Sequence, residues 1–481
     1  MKKVNMGKLK RAAAAALVLA VMTCAAGCGS GGDSDGKNQG DSAQSADGKG
    51  NSSDEGKNGT INVYAFTDEV PKMIDKFVET HPDFGYDINA TIIATTDGAY
   101  QPALDQALAA GGADAPDIYC AEAAFVLKYT QGDAASYAAS YEDLGLDVSS
   151  KLSEAEIAQY SVDIGTNPEG KVVGLGYQAT GGCFIYRRSI AKDAFGTDDP
   201  EEVSKVIGGG SGSWDKFFEA AETLKGKGYG IISGDGDLWH AVENSSDKGW
   251  IADGKLYIDP KREEFFELSK KLKDNGYHND TQDWQDAWFA DMKGEGSKGV
   301  LGFFGPAWLI NYTMAPNCGG SKAGEGTYGD WAVCDSPVGF FWGGTWLLAN
   351  KNSDKKEAVG QIIDWITLDS SEDGLQYAWA NGTIDWDNDP STPTAKDAVG
   401  SGKVMASSDG SLEFLGGQNM FDYFVPANTY ANGKNLTQYD EVINQYWRDA
   451  VRTYTSGEKS KEEAIAVFKQ NIKDNLDVTV E

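Results

Sequence analysis

The chain has 481 residues, of which 41% are hydrophobic and 11% aromatic, and a net charge of −31. That apolar content suits a globular body too long for a single core, so two domains are expected. The charge excludes nucleic acid or anionic lipid as a direct partner, since both need a basic footprint.

The chain opens on Lys2, Lys3, Lys8, Lys10 and Arg11, runs through apolar AAAAALVLAVM, and then reads AAGCGS from Ala25 to Ser30. The apolar run is shorter than the roughly 20 residues of a bilayer span. A basic head, a short apolar body and a small-residue exit describe a secretory signal peptide over 1–27. A cut before Cys28 resembles processing at a bacterial lipobox, where the cysteine is acylated with palmitate-type chains and becomes the new N-terminus. Ala25 stands where a lipobox usually has Leu. Losing residues 1–27 removes five positive and no negative charges, so −31 becomes −36. Residues 28–59 are expected to be the lipid anchor and a flexible tether. Residues 29–58 have two alanines as their only apolar content. Such a segment cannot offset the entropy of ordering, and it reaches roughly 30 Å.

The first ordered segment alternates strand and helix. TINVYAF reads as a strand, and Met73, Ile74, Phe77 and Val78 fall on one helical face between Pro71 and His81. DINATIIAT is a second strand, YQPALDQALAAGG a helix closed by glycines, and PDIYCAE a third strand. This order predicts a parallel sheet with helices on its faces. Ligands of such sheets gather outside the carboxyl ends of the strands. That selects Tyr64, Asp68 and Glu69 after the first strand and Glu122 after the third. These carboxylates either accept hydrogen bonds from ligand hydroxyls or merely charge a helix N-terminus.

A second α/β unit starts near GLGYQATGGCFIYRRSI. Its helix, SWDKFFEAAETLKGKG, has Ser213 as N-cap, Asp215 in the first turn, and Phe217, Ala221 and Leu224 on one face. KGVLGFFGPAWLINY is an apolar strand that breaks at Gly305-Pro306. Two helices close the chain. The second opens on a capping box, Ser460 with Glu463, followed by Ile465, Phe468, Ile472 and Leu476 at helical spacing.

Cys318 and Cys334 flank a Gly-rich loop, and either a disulfide or two free buried thiols fits an exported chain. No CxxC or Cys/His cluster points to zinc. DWDNDP, Asp385 to Pro390, gathers oxygens without a full calcium-ligand spacing. No metal, cofactor or catalytic nucleophile motif is implied.

Several segments in a fixed order resemble one family. They are PDIYCAEAAFVLKY, GLGYQATGGCFIYRRSIAKDAFG with SWDKFFEAAETL, GVLGFFGPAWLINY, GDWAVCDSPVGFFWGGTWLLANKNSDKKEAVGQIIDWIT and the terminal helices. Behind a lipobox, the set is similar to the extracellular solute-binding lipoproteins of ABC sugar importers, family 1, the maltose-binding-protein-like kind. The resemblance covers most of 60–477. It implies an α/β fold, a two-lobe clam-shell of the type II periplasmic-binding-protein kind. The N-lobe would hold 60–176 and 336–385, and the C-lobe 177–335 and 386–481. An oligosaccharide would sit in the cleft, hinge closure would bury it, and the closed form would dock on the transmembrane subunits of an ABC permease. The implied molecule is a monomer, lipid-anchored on the extracellular face of the cell membrane, and does no chemistry.

A sugar site wants flat aromatic faces with carboxylate, amide and guanidinium groups around them. By the resemblance, Trp308 supplies a stacking face after the Gly-Pro break, and Tyr177 and Gln178 sit at the cleft floor on the first crossover. Trp342 and Trp346 bracket a Gly-Gly turn, and strand alternation would put them on one side, with one of them in the cleft. Trp239, in a Gly-Asp-rich run, reads equally as cleft or core. Gln418 and Asp422, in GGQNMFDYF, belong to a late segment that the resemblance brings to the cleft. Cys120 stands where the maltose-binding type often has an aromatic, which sets its stacking pattern apart. Rival readings are a peptide- or amino-acid-binding protein using Arg187 and Arg188, a surface adhesin, and a glycoside hydrolase needing two facing carboxylates.

Overall fold

The computed structural model describes residues 58–95, 98–386 and 396–480. The signal peptide, Cys28, the tether up to residue 57 and the 387–390 part of DWDNDP lie outside these residues. In chain order the strands are β1 (Thr60–Ala65), β2 (Asp87–Ile92), β3 (Ile118–Glu122), β4 (Gly174–Gly176) and β5 (Cys183–Arg187). They continue with β6 (Ile251–Ala252), β7 (Lys255–Leu256), β8 (Gly302–Gly305), β9 (Trp331–Cys334) and β10 (Thr345–Ala349).

The first sheet has the order β2-β1-β3-β10-β4. β1 pairs in parallel with β2 and β3, as its flanking helices require, with Val63 opposite Ala90 and Ile118. β10 then runs antiparallel between β3 and β4, with Leu347 opposite Cys120 and Leu175. Period-two alternation sorts the two faces. Ile61, Val63, Ile118, Cys120 and Leu347 share one core, and Tyr119, Ala121, Trp346 and Leu348 the other. Helix Glu69–Thr80 buries Met73, Ile74 and Phe77 against the first face. Helix Tyr100–Ala110 buries Tyr100, Leu104 and Leu108 against the second.

The second sheet is three-stranded, β8-β5-β9, and fully antiparallel. Its outer face meets helices Pro200–Ile207, Asp215–Gly226, Asp235–Asn244 and Pro260–Asn275 and the last two helices, Asp440–Thr455 and Lys461–Asn475. The final helix carries the expected capping box: Glu463 N–H donates to Ser460 Oγ (3.2 Å) and Ser460 N–H to Glu463 Oε2 (2.9 Å). Ser213 is not an N-cap. The helix starts at Asp215 behind Trp214, and the Ser213 hydroxyl takes the Asp215 N–H (3.2 Å) one residue outside the cap.

The chain passes from the first sheet to the second through 177–182 and returns through 335–344, between β9 and β10. Residues 399–401 return to the first crossover and the first lobe, whereas the last two helices pack on the second sheet. Val399 O accepts from Ala179 N–H (3.2 Å), Gly400 N–H donates to Tyr177 O (2.8 Å), and Ser401 N–H to Gln376 Oε1 (2.6 Å). All four cysteines from Cys120 on are buried free thiols, so Cys318 and Cys334 are not bridged. The Cys318 thiol donates to carbonyls instead, Ala315 O at 3.0 Å and Gly320 O at 3.3 Å. Among the described residues no helix is long and apolar enough to cross a membrane.

Candidate functional site

β8 ends at Gly305-Pro306, and the chain turns at Trp308 into a π-helix, Leu309–Met314. Such helices are rare and recur at functional sites. Trp308 is half-buried, and its Nε1–H donates to the carbonyl of Trp342 (3.0 Å). The two indoles meet at 4.8 Å and 57°. A third indole joins them: Trp284 lies parallel to Trp308 (6.4 Å, 6°) and 6.1 Å from Trp342. Trp284 keeps 40% of its surface exposed, and Tyr312, 73% exposed, stands 6.4 Å from Trp308. Trp342 rests face to face on the His240 ring at 3.5 Å and 16°. Three indoles from sequence-distant segments thus present one aromatic surface beside the carboxyl end of the first sheet, where Ala123 N–H bonds Gly344 O (3.1 Å).

A cavity of about 400 Å³ adjoins it, walled by Glu122 of the first lobe, by Trp342 and by His240, Glu243, Asp440 and Arg448 of the second. Both lobes close on this wall. Gln101 donates to Glu441 (3.1 Å), and Asp133 N–H to Gln438 Oε1 (3.0 Å). Burial pushes the Glu122 carboxyl up to about 7, although the Ala124 N–H bond (2.8 Å) pulls the other way. Burial likewise pushes Glu243 up to about 7 and Asp440 to about 6. Polar groups half-hidden beside flat apolar faces suit a ligand with hydroxyls around an apolar ring.

Glu122 yields a pH prediction. Its folded pKa lies above the ordinary 4.5, so the native state holds the proton more tightly than the unfolded chain. Its contribution to stability therefore falls as pH rises from about 4.5 to about 7. Glu122→Gln is expected to be more stable than the wild type by up to about 3 kcal/mol at pH 8, and equal to it near pH 4. Melting temperatures across that range check it. Parallel curves for the two proteins would mean that Glu122 titrates normally.

The other expected residues divide. Glu69 and Tyr177 come together: the Tyr177 hydroxyl donates to Glu69 Oε2, and the phenol stacks on Trp379 (5.6 Å, 26°). Burial raises the Glu69 carboxyl. Asp68 is exposed and paired with Lys72 (2.7 Å), and Tyr64 is half-buried against the second core. Gln178 is buried on the crossover. Trp346 is a core residue, 1% exposed, with its Nε1–H on Ser161 O (3.2 Å). Alternation does not run from Trp342 to Trp346, because Gly343 (φ +67) and Gly344 (φ +113) break the strand before β10 begins. Trp239 is 2% exposed and packs on Phe265 (4.8 Å). Its Gly-Asp-rich run is the first turn of a helix, not a loop. The Asp237 carboxylate accepts from Ser233 N–H and Gly234 N–H (3.1 and 2.9 Å). Gln418 spends its amide on the edge of β9, accepting from Val333 N–H and donating to Val333 O (both 2.8 Å). Asp422 lines a different groove, of about 1290 Å³, with Tyr423 and Tyr430.

Sequence reasoning missed Trp284, His240 as a ring partner, and Asp397. Asp397 is buried, which pushes it up to about 7, near Asn311 of the π-helix and Glu69. The spacing in DWQDAW, with Trp284 and Trp288 four apart, was the one available signal.

Residues 65–372 match the profile of the family described as bacterial extracellular solute-binding protein. Among solved structures, a family 1 extracellular solute-binding protein is 16% identical with a TM-score of 0.69, covering 86% of this chain and 99% of its own. The galacto-N-biose/lacto-N-biose I-binding protein of an ABC transporter from Bifidobacterium longum, in complex with lacto-N-biose, is 15% identical with a TM-score of 0.62, covering 89% and 100%. The sugar-binding protein MalE from Xanthomonas citri is 13% identical with a TM-score of 0.63, covering 86% and 96%. At these identities the likeness shows the two-lobe fold. The search of curated proteins gave no match.

Proposed function

The chain belongs to the bacterial extracellular solute-binding protein family, and from that premise we propose that it is the carbohydrate-capturing subunit of an ABC importer. The observation that carries this reading is the joint surface of Trp308, Trp342 and Trp284 beside the half-buried Glu122 and Arg448. Indole faces accept the CH side of a sugar ring, and carboxylate and guanidinium groups take its hydroxyls. Similar folds bind lacto-N-biose, cycloalternan and acarbose, which supports an oligosaccharide. Capture would shift the population toward a closed state by rotation at the crossovers 177–182 and 335–344, and the closed form would dock on the permease. No bond is made or broken in this scheme. Glu69, Tyr177, Asp68, Tyr64 and Gln178 form the proposed floor and rim. The protein acts as a monomer held outside the cell membrane by its acylated Cys28, once the signal peptide is removed.

A thermal-shift screen against maltose, lacto-N-biose, larger oligosaccharides, amino acids and short peptides tests the function. A ligand at 100 times its Kd stabilises the native state by about 2.7 kcal/mol. A shift with one glycan class, and recovery of that glycan intact, is expected. Cleaved glycan would indicate a hydrolase, and a shift with peptides alone would move the solute class.

A further inference from the structure

We propose that His240, Asp283 and Arg448 form a buried positioning device that holds the indoles of Trp342 and Trp284 as one platform. The proposal rests on the reading of those indoles as the solute-stacking surface.

The two rings come from segments with little else in common. Trp342 lies on the second crossover, and Trp284 precedes helix Asp286–Lys293. The three residues join them. His240, on helix Asp235–Asn244, lays its imidazole flat on Trp342 at 3.5 Å. Its Nε2 bonds Asp283 Oδ2 at 3.1 Å. Asp283 is the residue before Trp284, and Arg448 reaches the same carboxylate at 3.5 Å and Asp235 at 3.7 Å. One carboxylate therefore links the ring under Trp342 to the backbone of Trp284.

That backbone needs holding. Trp284 has φ +64, in the left-handed region that a bulky residue adopts only when its surroundings impose it. Gly236 makes room for the clamp, since a Cβ there would lie 2.2 Å from Asp283 Oδ1. On the other flank Trp288 contacts Trp284 at 5.3 Å, and its Nε1–H donates to Asp237 Oδ1 (2.9 Å). The same helix thus fixes both sides of Trp284 and the underside of Trp342.

The protonation states fit the task. Burial lowers the His240 pKa, so the ring is neutral near pH 7 and its Nε2–H faces Asp283. Burial alone would raise Asp283, but His240 and Arg448 together hold it below its ordinary value, as a carboxylate. The groups acting on His240 are the Asp283 carboxylate and Arg448 of helix Asp440–Thr455; the other titratable groups nearby are Asp235, Asp237 and Glu243 of its own helix and Glu122 across the cavity, and burial raises Asp237, Glu243 and Glu122. Acidification would charge the imidazole against the indole, turning a neutral stack into a cation–π contact.

The test compares wild type, His240→Gln, His240→Phe and Asp283→Asn by near-UV circular dichroism, by tryptophan emission against pH, and by affinity for maltose and lacto-N-biose. His240→Gln and Asp283→Asn are expected to lose the wild-type indole bands and to bind the responding sugar about tenfold more weakly, as a loosened support shell does. His240→Phe keeps a flat ring on Trp342 but has no Nε2–H for Asp283, so it should also bind the sugar more weakly, although its stack on Trp342 survives. Wild-type emission should titrate with a midpoint below pH 6.5, the ordinary histidine value, and that of His240→Phe should stay flat. Wild-type bands and titration in both His240→Gln and Asp283→Asn would overturn the proposal. If His240→Gln does not fold, Asp283→Asn decides alone, being nearly isosteric. If neither sugar binds the wild type, the functional reading fails, while the unliganded spectra still decide whether the trio positions the indoles.

Discussion

Truncating Trp308 to alanine will weaken glycan binding by about 1–3 kcal/mol, the scale of a lost stacking contact plus its burial. That is about fivefold to 150-fold in Kd. Trp308 is half-buried, so the fold tolerates its loss, but its ring is one wall of the indole surface and its Nε1–H ties that wall to Trp342 O. Isothermal titration with the glycan found by the screen measures the loss. Trp346→Ala is the contrast: a residue 1% exposed should lower the melting temperature first. Adding Trp284→Ala to Trp308→Ala should cost less than the sum of the single losses, because neighbouring rings share one ligand face. An unchanged Kd for Trp308→Ala with an intact melt would take Trp308 out of the site.

Replacing Trp447 by alanine will cost about 3–5 kcal/mol of folding stability, as expected for a large ring removed from a closed core. Trp447 is fully buried between Trp250 (5.2 Å), Phe266 (4.9 Å) and Phe468 (4.8 Å). It sits next to Arg448 on the helix that also brings Asp440 to the cavity, so the second-lobe wall of the site depends on this packing. Its Nε1 is buried without a hydrogen-bond partner, so Trp447→Phe forfeits volume but no bond and should cost distinctly less than alanine. Urea unfolding of the two variants gives the comparison. A cost below about 1 kcal/mol for alanine would show that the terminal helices do not anchor this lobe.

Much of the scaffold was legible because its signals are local. The faces carrying Met73, Ile74 and Phe77, the glycines closing helix Tyr100–Ala110 and the Ser460–Glu463 box all act within one or two turns. The carboxyl ends of β1 and β3 followed from the βαβ order, and Glu122 does line the cavity. Trp346 misled because alternation was extended through Gly343-Gly344, whose positive φ angles end it. Trp239 misled because glycine and aspartate mark a helix start as well as a loop. Gln418 misled because a side-chain amide can replace a missing strand partner, and only the edge of β9 shows that it does.

The sequence by itself determined the strands and helices of the first βαβ segment and the terminal helices, the two-lobe family pattern and the supply of aromatics, since periodicity, caps and segment order are properties of neighbours along the chain. Only the tertiary structure decided which aromatics meet. Trp284, Trp308 and Trp342 are brought together by two sheets, a crossover and a π-helix, and are braced by His240, Asp283 and Arg448 from three separate segments. Burial sets that outcome: each ring becomes core or surface by what packs over it, and the residues that do so lie tens to hundreds of positions away.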